Sequence, residues 1–332
     1  MMKKILFLAL IILFANFSNS LSQQLSSPKE LNNTELEAGY MYAPFAANEN
    51  YLVWGEFYTQ TISIYNLQSS ELNKLKLEKG RGPHEFQVIA SLSLTPSNQL
   101  YIADPENVKV IIYDLEAKKF RADKIFNDIM PYRLEAENDY FFGIDRSFSS
   151  NSLFFVMSHN EGEVEHTPID MLSFDTFNEF SYPFRRDGVI TSNDSLGVFF
   201  PRYYPDLYVC KLKEMKFSGK ISYDEWYTEK GEKGTIRGKE AYFAPTNVDV
   251  EVRDAAFLPG NEHSIIILAK GKSEGRSYSR KQLSVFDVKK EEFTGKLDFG
   301  FKVDQLVAND KYLFVYSKEE NKIFKYEIAL DE

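Results

Sequence analysis

Apolar and aromatic residues along this chain fall in short runs separated by polar turns, and no stretch after the first twenty residues sustains a helical period. Asn50–Leu67 reads NYLVWGEFYTQTISIYNL, two β-branched and aromatic runs joined by a polar turn, which predicts a pair of antiparallel strands. Gln99–Leu115, QLYIADPENVKVIIYDL, repeats that spacing and chemistry. More diverged copies follow at Asp139–Ser158, Ser195–Leu212, His263–Val288 and Lys311–Ile328. Six units over the 312 residues that remain after residue 20 average about 52 residues each, close to a four-stranded propeller blade. The expected fold is therefore all-β, a six-bladed β-propeller of four-stranded antiparallel blades occupying 21–332 as one domain. The last unit holds about three strands, so closure requires a fourth, and Leu25–Tyr42 is expected to supply it. Met215–Asn247, with Gly231, Gly234 and Gly238 among charges, reads as an insertion between blades, more simply a tolerated loop than a specificity element.

The segment Gly80–Phe86, GRGPHEF, precedes the second unit. A phosphate-binding loop would continue into Lys-Ser or Lys-Thr and a helix, and this segment does neither. Glycine freedom, the fixed φ of Pro83 and an apolar anchor at Phe86 instead predict a corner between blades. Gly80, Gly82, Pro83 and Phe86, followed by Tyr101, Ala103, Asp104, Asn107 and Tyr113, resemble an NHL repeat and the TolB-like six-bladed propellers of exported bacterial proteins. The close match covers only this unit. The resemblance implies a propeller, but its families include enzymes and binding modules alike, so it fixes no activity.

In a meander, alternate connections share one face. With strands lettered a to d from the axis outward, each d-to-a crossing and each b-to-c turn lie together. Arg81, Arg146, Arg202, Arg276 and Arg280, five of the eleven arginines, fall in these connections, with Tyr58, Tyr203, Tyr204 and Tyr278 among them. A planar guanidinium forks onto oxyanions and aromatic rings stack, so Arg81, His84, Asp104, Arg146, Arg202, Tyr203, Tyr204 and Arg276 are the candidate ligand-binding residues. The alternative for each arginine is a solvated side chain or one paired with a nearby acid.

Composition narrows the setting. Lys3 and Lys4, an apolar run from Ile5 to Phe14 and small Ser18 and Ser20 predict a signal peptide over residues 1–20, too short to span a bilayer. With no cysteine near the expected cleavage point, the mature protein is expected to be periplasmic or secreted, monomeric, and without a lipid anchor or transmembrane segment. Its single cysteine, Cys210, cannot form an internal disulfide and reads as a small buried hydrophobe. The chain carries a net charge of −10, and loss of Lys3 and Lys4 would make it −12, which disfavours nucleic acid as a partner.

Catalytic patterns are sparse. His84, His159, His166 and His263 show no H-x-H or H-E-x-x-H spacing, and no G-x-S-x-G elbow occurs. Six-bladed calcium-dependent sugar lactonases hold metal near the axis, for which Glu85, Asp104 and Asn107 are candidates in a chain already rich in acids. Two classes follow. One is a non-catalytic exported propeller, without cofactor, that binds a small molecule, glycan or protein on its loop-rich face. The other is a calcium- or zinc-dependent hydrolase or lyase of the lactonase or amidating-lyase type. A convergent set of carboxylate, Asn or His ligands at the axis favours the second; a channel lined by arginine and apolar groups favours the first.

Overall fold

The structure, a computed structural model, describes residues 26–31, 44–56, 61–127, 129–137, 140–145, 154–158, 166–169, 187–214, 216–225, 232–236, 239–243, 248–274 and 276–328. The chain begins with β1 (Lys29–Glu30). Blade one is β2 (Phe45–Ala47), β3 (Tyr51–Glu56), β4 (Thr61–Asn66) and β5 (Leu72–Lys76). Blade two is β6 (Ser91–Leu94), β7 (Gln99–Asp104) and β8 (Lys109–Asp114), edged by the short β9 (Lys119–Phe120) and β10 (Lys124–Ile125), both paired with β8. Blade three is β11 (Pro131–Ala136), β12 (Tyr140–Asp145), β13 (Phe154–Ser158) and β14 (His166–Ile169). Blade four is β15 (Gly188–Ser192), β16 (Leu196–Pro201), β17 (Asp206–Lys211) and β18 (Lys216–Ser222). A separate hairpin, β19 (Glu232–Ile236) and β20 (Lys239–Phe243), intervenes before blade five. That blade is β21 (Val250–Phe257), β22 (Ser264–Lys272) with the short β23 (Ser277–Tyr278), β24 (Gln282–Asp287) and β25 (Glu292–Asp298). Blade six is β26 (Gln305–Ala308), β27 (Tyr312–Ser317) and β28 (Lys322–Glu327), completed by β1.

The expected six blades of four antiparallel strands are present, and the N-terminal segment closes the ring. Lys29 pairs with Lys325 and Glu30 with Phe324, and Leu31 N–H donates to the Ile323 carbonyl at 3.1 Å. The insertion is shorter than the sequence suggests. Lys216–Ser222 is the outer strand of blade four, whose half-exposed pattern hides its strand character, and among the described residues the hairpin is the one further element between blades four and five.

The core explains the composition. Inner strands are covered on both faces because each blade packs against two neighbours, so β7 and β27 are buried almost throughout, whereas the outer β5 mixes exposed and half-buried positions. Among the described residues the buried apolar side chains form six clusters, one at each blade junction. Phe199 and Tyr208 of blade four interlock with Phe142 and Phe154 of blade three. Leu31, Phe314 and Tyr316 meet Leu52, Trp54 and Tyr65 where the last blade joins the first. Burying one such ring contributes roughly 1.5–3 kcal/mol. Cys210 is fully buried in the cluster between blades three and four, where burial pushes its thiol pKa up. Among the described residues no helix is long and apolar enough to cross a membrane.

Candidate functional site

The innermost strands β2, β6, β11, β15, β21 and β26 stand side by side around the axis. The d-to-a crossings and b-to-c turns lie at one end of these strands and the a-to-b turns at the other, as the meander requires.

The described candidate residues are spread over the first of these faces. The GRGPHEF crossing is a braced corner. Phe86 is buried between blades one and two, Glu85 accepts from Gly82 N–H at 2.6 Å, and the carbonyls of Gly80 and Gly82 accept from Asn107 Nδ2 (2.8 Å) and Lys109 Nζ (2.9 Å). His84 stacks on Phe120 with centroids 4.8 Å apart, and its Nδ1 lies 2.8 Å from Asp123, which also takes Lys109 at 2.8 Å. Burial works to raise the Asp123 pKa, but the bonds from Lys109 and His84 overcome it and hold the carboxyl below its usual range. Asp104 accepts from the backbone of Gln87, Val88 and Asn107 and from Asn107 Nδ2, which ties the b-to-c turn to the crossing. Arg81 is exposed on this corner. Arg276 lies far out on blade five, its guanidinium 3.6 Å from the Phe293 ring centroid, and Arg280 pairs with Asp304. Arg146 and Tyr58 lie outside the described residues. Glu85, Asp104 and Asn107 share the blade-two corner, and among the described residues no three His, Cys, Asp or Glu side chains gather as a metal set.

Among the described candidates, one reaches the axis. Arg202, 6% exposed, begins the b-to-c turn of blade four beside half-buried Tyr203 and buried Tyr204. Its Nε donates to Asp187 at 3.0 Å and its Nη1 to the Val252 carbonyl at 3.5 Å, while Val252 N–H donates back to the Arg202 carbonyl at 2.8 Å. Arg202 thereby stitches blade four to β21 and helps wall a cavity of about 80 Å³ shared with Arg133 of β11 and Arg253 of β21. Arg133 Nη1 donates to the Ala90 carbonyl at 3.1 Å, and Arg253 Nη2 reaches Glu251 at 3.2 Å. The Nε atoms of Arg133 and Arg253 are buried without a hydrogen-bond partner.

Glu135 and Asp254 also line this cavity and the space beyond it, a funnel of about 550 Å³ opening among the a-to-b turns. Burial first, then repulsion from Glu137 and Asp254, pushes Glu135 up to about 8 against the opposing Ser93 bond and Arg133 charge. Burial, with Asp194 and Asp310 adding to it, pushes Glu137 up to about 7 despite a 2.8 Å bond from Ser192. Burial raises Asp254 to about 6 although Leu306 and Ala255 donate to it. The funnel mouth carries Glu49, Asp194, Glu262 and Asp310. Each follows an asparagine, Asn48, Asn193, Asn261 or Asn309, whose Oδ1 accepts two backbone N–H groups and forms the a-to-b turn.

Sequence reasoning missed this axial set because it searched loops. The available signal was the alternation of charge in "RLEAE", Arg133 to Glu137, on a strand whose every second residue faces one way, together with the recurring Asn-acid pairs.

No protein-family model matches the chain, and no curated protein matches it. Solved structures do match its shape. The RRP9 WD40 repeats superpose with a TM-score of 0.53 at 10% identity, covering 86% of this chain and 79% of theirs. The β-propeller domain of Cps50 (Swd1) from Myceliophteria thermophila gives 0.51 at 10% identity, covering 92% of this chain and 100% of its own. Hydrazine synthase from Kuenenia stuttgartiensis gives 0.50 at 11% identity, covering 91% and 100%. At these identities the likeness is one of fold: the chain is a six-bladed β-propeller with WD40-type structural neighbours.

Proposed function

We propose that this chain is an exported, non-catalytic binding propeller, free in the periplasm or outside the cell, whose ligand sits at the axis. The observation that carries this reading is the continuity of the small arginine-walled cavity with the large funnel: Phe45, Glu135, Ile190 and Asp254 belong to the walls of both. A concave site with a few convergent polar groups, contributed by several strands of a rigid scaffold, is the usual form of a small-molecule pocket. Three arginines at the narrow end favour binding over the metal-dependent alternative. Of the residues singled out in the sequence, Arg202 serves this site directly, while Tyr203 and Tyr204 line neither the cavity nor the funnel. Of the arginines farther out, Arg276 stacks on Phe293 and Arg280 pairs with Asp304.

A thermal-shift screen of the purified protein against small metabolites, repeated on Ala47→Trp, tests the reading. Ala47 lines the funnel, so an indole there obstructs it. Ligands that stabilise the wild type are expected to lose their effect in the variant. Ligands that stabilise both proteins equally bind elsewhere and contradict an axial site.

A further inference from the structure

Resting on the axial reading, we infer that the ligand carries a carboxylate at one end and an ammonium at the other, the first held by Arg133 and Arg253 beside Arg202, the second by Glu135 and Asp254.

The narrow end gathers three guanidinium groups, two of them with an Nε donor unmet. A buried N–H left without a partner costs roughly 1–3 kcal/mol, and the Nε atoms of both Arg133 and Arg253 are in that state, on two side chains that line one small cavity. The Nε edge of a guanidinium presents the fork that fits a planar carboxylate. A dianion fits less well, because Asp187 lies 3.0 Å and Glu251 3.8 Å from Arg202, and Glu251 also takes Arg253 and Lys270. A single negative charge suits the residual field, and about 80 Å³ admits only a small head group.

The adjoining region is acidic, with Glu135 and Asp254 on the walls of both the cavity and the funnel. Glu135 faces Arg133 on its own strand, Glu137 just past the strand's end, Ser93 of β6, and Asp254 of β21, and its surroundings favour the neutral acid. An ammonium between Glu135 and Asp254 offsets their repulsion. The spacing suits one molecule. Arg133 and Glu135 are alternate residues on one face of β11, so their positions differ by about 7 Å along the strand, a separation that extended 6-aminohexanoate spans.

The test is calorimetric titration of the full chain at neutral pH with 6-aminohexanoate, hexanoate and hexylamine, in two buffers of different ionisation enthalpy. Expected are an affinity for 6-aminohexanoate about tenfold or more above that for either monofunctional probe, and proton release when an ammonium enters, as Glu135 gives up its proton. Arg133→Gln should reduce 6-aminohexanoate to the affinity of hexylamine. Glu135→Gln should reduce it to that of hexanoate and abolish the proton release. Equal affinity for hexanoate and 6-aminohexanoate, or for hexylamine and 6-aminohexanoate, overturns the inference, and this comparison needs only the wild type. If none of the three binds while a screening ligand is lost in Ala47→Trp, the bifunctional ligand is wrong and the axial site stands. If Ala47→Trp also leaves the screening ligands unaffected, both readings fall.

Discussion

Replacing Glu135 with glutamine keeps the shape of the side chain and its acceptor toward Ser93 while removing a group that must stay neutral in the fold. The carboxyl titrates at about 8 in the folded protein against an ordinary value of 4.5, so its folded pKa is raised. The contribution to stability is therefore intact below the unfolded value and is lost as pH rises toward the folded one. Each pH unit between those values costs the wild type about 1.4 kcal/mol, and from about pH 5 to about pH 8 the loss accumulates to roughly 4 kcal/mol. The variant escapes it. Glu137 and Asp254 titrate in the same window in both proteins and largely cancel in the difference. At roughly 2 °C per kcal/mol for a chain of this size, the Tm of Glu135→Gln should gain about 8 °C on the wild type across that range. Thermal melts followed by circular dichroism at four pH values measure the gap. A gap that stays constant with pH means that Glu135 ionises without penalty, and the picture of an uncompensated axial acid fails.

Leu31→Ala at the ring closure should cost about 2 kcal/mol and speed proteolysis of the N-terminal segment, because Leu31 is 7% exposed and packs into the junction of blades six and one; unchanged proteolysis contradicts the closure. Gly188→Ala should destabilise by more than about 2 kcal/mol in urea unfolding, since a Cβ there would stand 2.1 Å from the Phe200 carbonyl oxygen of the paired strand. Asp123→Asn leaves Lys109, whose side chain is 5% exposed, without its carboxylate and should cost about 3 kcal/mol at neutral pH. Because the Asp123 pKa is depressed, its contribution is present above the unfolded value and lost as pH falls through the folded one, so the gap between variant and wild type should narrow in acid.

Much of the fold was legible because its signals are local. Apolar runs such as Leu100–Ala103 and Val110–Ile112 are strands buried on both faces, and their spacing counts blades directly. The corner at GRGPHEF was equally readable, since glycine, proline and a buried phenylalanine each act within a few residues. The reading of Met215–Asn247 failed at its start because β18 is an outer strand with one face in solvent, and KFSGKIS lacks the apolar density of an inner one. The site was harder to read. Which charged residues meet depends on closing the ring: Arg133, Arg202 and Arg253 belong to three blades and share no sequence neighbourhood. Turn arginines find partners locally instead: Arg276 stacks on a ring of its own blade, and Arg280 pairs with an acid that precedes the next. The innermost strands were the informative positions. A charge placed there cannot reach bulk solvent sideways and must be matched across the axis.

The most direct measurement is the nitrogen-15 spectrum of the arginine Nε–H groups during titration with 6-aminohexanoate. Eleven arginines give a spectrum sparse enough to assign, with Arg133→Lys and Arg253→Lys identifying the signals of those two among the three axial arginines. The account predicts that these two shift together and saturably while exposed Arg81 and Arg121 stay still. Movement confined to the exposed arginines, or no movement at all, contradicts an axial binding site with this chemistry.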